Sequence, residues 1–247
     1  MGTIISEDLT MEVKDKSYLE HIQFYSEFVP KKLVKLTKRK KVKTLLDLGC
    51  GDGAILFALK RRGLLKNKDV FAVDIAKERV VKTQKIDQKF HCFVVDVCDL
   101  GKMIKKNSID LAISSQVIEH VEKPERLIQQ AKQVLKSGGH FYLSTAFKKW
   151  YGWFFYKNPK GEWTLDPTHL REYQHDDDLI PLLKKFGFKV IHNKKILWKF
   201  PLTDFFLKRL GFGGDIYLKN KLLRTLRSIK LPILGYYYWE IVCEKIN

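Results

Sequence analysis

Glu119 and His120 stand side by side just past an apolar run, and a second histidine, His169, follows within Asp166-Pro167-Thr168-His169-Leu170-Arg171-Glu172-Tyr173. An imidazole that titrates near neutrality can take a proton from a hydroxyl, so both histidines are candidate bases and Glu119 a candidate partner. A different constellation lies upstream. In Thr44-Leu45-Leu46-Asp47-Leu48-Gly49-Cys50-Gly51-Asp52-Gly53-Ala54-Ile55 an apolar run stops in a turn with glycine at alternate positions. Such glycines let the backbone take positive φ and approach a ligand closely, while the next helix aims free N–H groups at the same point. A nucleoside-bearing cofactor fits there. The spacing also satisfies the looser dinucleotide pattern, with Gly49, Gly51 and Ala54 in its small positions, so the turn alone does not choose.

The elements that carry these residues alternate between strand and helix. Strands are expected over 44–48, 69–74, 91–95 and 108–115, with a helix after the glycine turn, one near Lys77 and one opened by Pro124. A fifth strand should end at Ser144-Thr145, a capped helix run from His175 to Phe186, and two further strands cover Lys189-Val190-Ile191 and Tyr236–Cys243. The alternation points to an α/β fold with a mostly parallel sheet, whose ligands bind at the carboxyl ends of the strands. Asp74 closes the second strand, where a carboxylate can accept from vicinal hydroxyls or cap the following helix. Asp96 follows the third strand, with an Asx turn as its simpler role, and Asp99 fits as the N-cap of a short helix. Ser115 and Gln116 end the fourth strand.

The run D-L-G-C-G-D-G, with acids at Asp74 and Asp96, resembles motif I and the following strand ends of class I S-adenosylmethionine-dependent methyltransferases. The V-I-E-H-V run, the helix at Pro124 and the Lys136-Ser137-Gly138-Gly139-His140-Phe141 entry to the fifth strand resemble the branch holding ubiquinone-biosynthesis O-methyltransferases. This resemblance covers about residues 42–190. It implies a Rossmann-like seven-stranded sheet ordered 3-2-1-4-5-7-6 with helices on both faces, and S-adenosyl-L-methionine as cofactor. It further implies a cofactor site at Asp47, Gly49, Cys50, Gly51, Gly53, Asp74, Ile75, Asp96, Val97, Ser115 and Gln116, with Asp74 on the ribose and Asp96 on the adenine amino group. Acids at the turn suit a ligand with an ammonium and a sulfonium better than a pyrophosphate. Small-RNA 3′-end methyltransferases hold a divalent cation with a similar E-x-x-E-H and a later histidine. Here Gln116 replaces the first acid, a poorer ligand for a hard cation, and no metal is expected.

Length and composition bound the rest. The 247 residues make one large α/β domain with insertions, and 45% hydrophobic residues is ordinary for a globular chain. No apolar run approaches the roughly 18 residues a membrane span needs, and the first residues carry acids instead of a basic-then-apolar leader, so a cytoplasmic protein is expected. Cys50, Cys92, Cys98 and Cys243 lack C-x-x-C spacing, which argues against zinc and a disulfide framework. The formal charge of +18 suits polyanions, anionic membrane surfaces or acidic substrates. Only nine residues are arginine, which favours the latter two over RNA.

Three segments fall outside the core pattern. Residues 1–40 read as a helical cover for the cleft, with Tyr18, Ile22, Tyr25, Phe28 and Val29 at helical spacing before Pro30. The methyltransferase domain of the resemblance then runs over 41–247, with insertions at about 147–175 and 197–234. The first packs Phe147, Trp150, Tyr151, Trp153, Phe154, Phe155, Tyr156 and Trp163 into seventeen residues, a candidate aromatic lid over an apolar, lipid-linked or glycan-like acceptor. The second places Leu218, Leu222, Leu223, Leu226 and Ile229 at helical spacing among basic residues, a candidate contact with an anionic membrane surface. The expected activity is O-methylation of a small-molecule or lipid-linked acceptor. RNA methylation is the alternative, and a dinucleotide oxidoreductase or a non-catalytic cofactor-binding partner are readings from other classes.

Overall fold

The computed structural model describes residues 24–246 other than 102, 154, 155 and 159. Its frame is a seven-stranded sheet. In chain order the elements that build it are α1 (Lys31–Thr37), β1 (Thr44–Leu48), α2 (Ala54–Arg61), β2 (Asp69–Asp74), α3 (Lys77–Ile86), β3 (His91–Val94), β4 (Ile109–Ser115), α4 (Pro124–Val134) and β5 (Leu135–Lys148). A two-stranded hairpin, β6 (Tyr156–Lys157) and β7 (Trp163–Thr164), precedes α5 (Ile180–Lys185) and β8 (Phe188–Pro201). Three short helices, α6 (Leu202–Arg209), α7 (Ile216–Lys219) and α8 (Lys221–Leu226), lead to β9 (Lys230–Lys245). The sheet order is β3-β2-β1-β4-β5-β9-β8. Counting only this sheet's strands, that is 3-2-1-4-5-7-6, with β1 to β5 parallel and β9 antiparallel to both neighbours.

Alternation along the strands divides the core in two. Leu46, Leu48, Ala112, Phe141, Leu143 and Trp239 pack on one face with α4 and α5, while Leu45, Ala72, Leu111, Ile113, Tyr142 and Val242 pack on the other with α1 and α2. Both faces of the parallel strands are thereby covered, and the carboxyl ends of β1, β2, β3 and β4 remain as the common rim.

Four expectations are corrected. Phe24–Val29 is irregular and not helical, because Phe24 bridges to Gly214 and the Tyr25 N–H donates to the Gly214 carbonyl at 2.7 Å; the rest of that expected helix, with Tyr18 and Ile22, lies outside the described residues. The second insertion is shorter, since β8 and β9 pair from Phe188–Lys245 to Pro201–Lys230 and claim both of its ends. Its apolar heptad-like run is two helices, broken where Asn220 Oδ1 accepts from the Leu223 N–H at 3.0 Å and caps α8. Asp99 caps no helix; its carboxylate accepts from the Gly101 N–H in a turn.

Candidate active site

Gly49, Gly51 and Gly53 take φ of +75°, +53° and +79°, as the turn after β1 requires. The N–H groups of Gly49 and Cys50 both donate to the Val73 carbonyl at 2.9 Å, which fixes the turn to the end of β2. Asp74 completes that bracing: Oδ2 accepts from the Gly51 N–H at 2.8 Å and Oδ1 from the Ala76 N–H at 3.0 Å. It does not cap α3. A Cβ on Gly49 would sit 2.5 Å from a Val117 methyl, and one on Gly53 2.4 Å from Ile86, so the turn is packed on both sides through bare backbone.

Beneath the turn Asp47 is buried in β1, and burial first, then the charge of Asp74, pushes its carboxyl up to about 7. Asp52 is spent differently, ion-paired at 3.2 Å to buried Arg79 and at 3.2 Å to Lys82. Burial, with the charges of Asp74 and Asp47, raises the Cys50 thiol well above its ordinary range and keeps it inert. Asp96 accepts from the Cys98 N–H at 2.8 Å in an Asx turn, with Val97 buried beside it and Ile75 half-buried after Asp74. The expected cofactor residues of β1, β2 and β3 therefore share one rim.

The fourth strand brings the acid–base residues to that same rim. Gln116 has φ of +58°, its N–H donates to the Ser144 carbonyl at 2.9 Å, and its amide nitrogen faces Glu119 Oε1 at 3.1 Å. Glu119 is fully buried and accepts from the Thr145 hydroxyl at 2.9 Å. His120 turns Nδ1 towards the Thr168 carbonyl at 3.2 Å, so Nδ1 carries the proton and Nε2 is left as the basic atom. His169 is buried and bonds Glu172 Oε1 through Nδ1 at 2.7 Å. Burial draws the His169 pKa down, but the bond to Glu172 and the charges of Glu119, Glu172 and Asp166 outweigh it, and the net direction is up. The two imidazoles meet edge to face, 4.8 Å between centroids. One ligand atom from each of Glu119, His120 and His169 falls within 4.8 Å of the others. Gln116 is not among these three donors.

Several residues that organise the site carry no signal as isolated letters. Thr168 positions His120 and donates to Asp166 Oδ1 at 2.6 Å; Glu172 holds His169. Arg171 bonds the carbonyls of Ile118, Val121 and Glu122 and so clamps the loop that carries Glu119 and His120. The density of polar residues in D-P-T-H-L-R-E within an aromatic stretch is the clue. A second polar array was also missed. Ser115 Oγ lies 2.8 Å from Ser144 Oγ, and Tyr238, Tyr142, Glu240 and His192 continue across the sheet, with Tyr142 donating to Glu240 at 2.9 Å and His192 2.9 Å from the same carboxylate. Its clue is the lone acid in Tyr236-Tyr237-Tyr238-Trp239-Glu240-Ile241.

The aromatic side chains expected to form a lid divide between core and solvent. Phe147 is buried against Trp239, but Trp150 is 87% and Trp153 59% exposed, and Phe154 and Phe155 lie outside the described residues. From the other side Tyr25 stacks on Phe57 and donates its hydroxyl to the Asp52 carbonyl at 2.8 Å, so the N-terminal stretch does reach the glycine turn.

A family model described as a methyltransferase domain matches residues 17–193. Among curated proteins, the mitochondrial ubiquinone biosynthesis O-methyltransferase of Rattus norvegicus is 34% identical over 114 residues, which cover 42% of this chain and 31% of that protein. The ubiquinone biosynthesis O-methyltransferase of Coxiella burnetii (strain Dugway 5J108-111) is 28% identical over 108 residues, 42% of this chain and 44% of that one. The matched stretch thus spans less than half of either relative. Among solved structures, the [4+2]-cyclase SpnF superposes with a TM-score of 0.60 at 17% identity over 92% of this chain and 88% of that one. Geranyl diphosphate methyltransferase in complex with its diphosphate and sinefungin gives 0.54 at 13% identity over 87% and 76%. Both likenesses concern the fold, and the cyclase marks how far chemistry diverges on it.

Proposed function

The chain belongs to the methyltransferase-domain family, and from that premise we propose that it transfers a methyl group from S-adenosylmethionine to a hydroxyl of an apolar, small-molecule or lipid-linked acceptor. One observation carries the reading: Val117, in the loop that bears Glu119 and His120, packs directly on Gly49 of the glycine turn, so a ligand held by the turn abuts the base.

The turn's chemistry fits that ligand. Buried acids at Asp47 and Asp74 favour a cationic group over the rim and would repel a pyrophosphate. The glycine turn would hold S-adenosylmethionine, with Asp74 at the ribose and Asp96 and Val97 at the adenine, and the bound cofactor would supply an electrophilic methyl on a sulfonium. His120 Nε2 accepts the acceptor's hydroxyl proton as the oxygen attacks; Thr168 holds the ring in the required tautomer. His169, pinned by Glu172, fixes the wall against which His120 rests. Alignment and exclusion of water supply the rest.

A second reading is favoured by the donor trio. Glu119, His120 and His169 have suitable ligand types for a divalent cation, and with both Nδ1 atoms engaged each ring presents Nε2, the arrangement in which outer partners orient metal-binding imidazoles. Such an ion would make an acceptor hydroxyl more acidic. RNA methylation is disfavoured by the scarcity of arginine, nine residues in the whole chain. Incubation with methyl-labelled cofactor and either a lipid extract or RNA tests the class of acceptor, and a chelator arm tests the ion. Label in the organic phase is expected; label in RNA alone would overturn the acceptor assignment.

A further inference from the structure

The β8–β9 hairpin outruns the sheet. β5 follows β9 only from His140–Glu244 to Lys148–Tyr236, whereas β8 and β9 continue together to Pro201–Lys230, and α6, α7 and α8 form the tip of that projection. The tip is built with its polarity reversed. At its centre is a carboxylate: Asp204 is gripped by Arg227 through two contacts of 3.1 Å and by the Tyr217 hydroxyl at 2.6 Å, and the guanidinium lies over the Tyr217 ring at 4.3 Å. On its outside are leucines. No residue of α8 is buried, and Leu210, Leu222 and Leu234 are 69%, 67% and 73% exposed. Short helices that close on a polar hub and expose their aliphatic side chains lack the reason that normally holds an amphipathic helix on a protein, and require another apolar phase.

Charge selects which phase. From Lys194 to Lys230 there are ten basic residues against Asp204 and Asp215, and those two acids are already paired with Arg227 and Lys219. A second copy presenting the same cationic face would be repelled, and an anionic lipid surface is attracted. Among the described residues no helix is long and apolar enough to cross a bilayer, so contact is in the interfacial plane. The aromatic segment that precedes β6 adjoins the projection: the Lys149 N–H donates to the Gly235 carbonyl at 2.7 Å, and a Cβ on Gly235 would lie 2.4 Å from the Gly152 Cα, which sets exposed Trp150 and Tyr151 close to Leu234. Tryptophans at such a rim suit the headgroup layer.

We propose that the α6–α8 tip and the Trp150–Trp153 edge form one docking surface for an anionic membrane. The tip also touches the cofactor side, because Gly214 pairs with Phe24 and Tyr25, and Tyr25 bonds the Asp52 carbonyl. Docking therefore brings the cleft to the bilayer, where a lipid-linked acceptor resides. The surface stands whether or not the transferred group and acceptor are as proposed.

The test is co-sedimentation of the full chain with phosphatidylcholine vesicles and with phosphatidylcholine–phosphatidylglycerol vesicles, at low and high salt, alongside calorimetric titration with S-adenosylhomocysteine. Binding to anionic vesicles is expected to exceed binding to neutral ones at least tenfold and to weaken with salt. Leu210→Ser with Leu222→Ser should lower it tenfold or more, as should Lys221→Glu with Arg224→Glu, both leaving the melting temperature and the titration unchanged. Equal binding to both vesicle types, no loss in either double variant, or a concentration-dependent dimer abolished by the leucine changes would overturn the proposal.

Discussion

His169 Nδ1 and Glu172 Oε1 are 2.7 Å apart with both side chains sealed from solvent. The folded-state pKa of His169 is raised above 6.5, so its contribution to stability is fully present below 6.5 and is lost as pH rises through the folded value. Glu172→Gln should cost about 1.5–3 kcal/mol at pH 5.5, the scale of a hydrogen bond to a charged group, and little at pH 9. Urea unfolding at the two pH values checks this; an equal loss at both would mean that His169 is neutral in the fold.

The pKa of Asp47 is shifted upward, opposite to the shift of a paired carboxylate. Its folded pKa is raised from 3.8 to about 7, so the ionised side chain destabilises the fold increasingly as pH rises through that window. Asp47→Asn should therefore raise the melting temperature of the ligand-free chain at pH 8 and leave it unchanged near pH 3. The same change should weaken S-adenosylhomocysteine binding, because its ammonium loses a counter-charge. Stabilisation without loss of affinity would remove Asp47 from the cofactor site.

His120→Ala should reduce methyl transfer about 10²–10⁴-fold, the range of a positioned general base, while leaving cofactor affinity unchanged. Thr168→Val should act through His120, since it removes the hydroxyl 3.1 Å from Nδ1 while keeping the carbonyl, and should lower methyl transfer less than His120→Ala does. Loss of cofactor affinity in either variant would place the pair with the turn and not the acceptor.

Gly49→Ala meets two obstacles, φ of +75° and the Val117 methyl 2.5 Å from the new Cβ. A loss of about 1–3 kcal/mol is expected from the strained backbone and displaced loop. Adding Val117→Ala should return the steric part only, which a double-mutant cycle of unfolding free energies measures. Full additivity would mean that turn and loop are uncoupled.

What the sequence could reveal followed from how local each cause is. The glycine turn, the strand end at Asp74 and the helix at Pro124 are each set by residues adjacent in the chain, and the structure has them where their spacing puts them. Phe24–Val29 has helical periodicity, yet its backbone partner is Gly214, far along the chain, and the tertiary pairing overrides the local pattern. Asn220 is a local cap that interrupts an apolar period, a stop that the leucine spacing concealed. His120 and His169 were each visible as possible bases, but their meeting was not, because it depends on Arg171 holding three carbonyls of a loop from which it is separated by a helix and three strands of chain. The roles of Thr168 and Glu172 are likewise properties of a contact between segments.

The most direct measurement is calorimetric titration of the purified chain with S-adenosylhomocysteine, with NAD as control and Asp74→Ala in parallel. Saturable one-site binding of S-adenosylhomocysteine alone is the expected result, weakened in Asp74→Ala by about 1–3 kcal/mol through loss of a charged acceptor that also braces the Gly51 N–H. Binding of NAD alone, or the same S-adenosylhomocysteine affinity in wild type and Asp74→Ala, would contradict the assignment of the glycine turn.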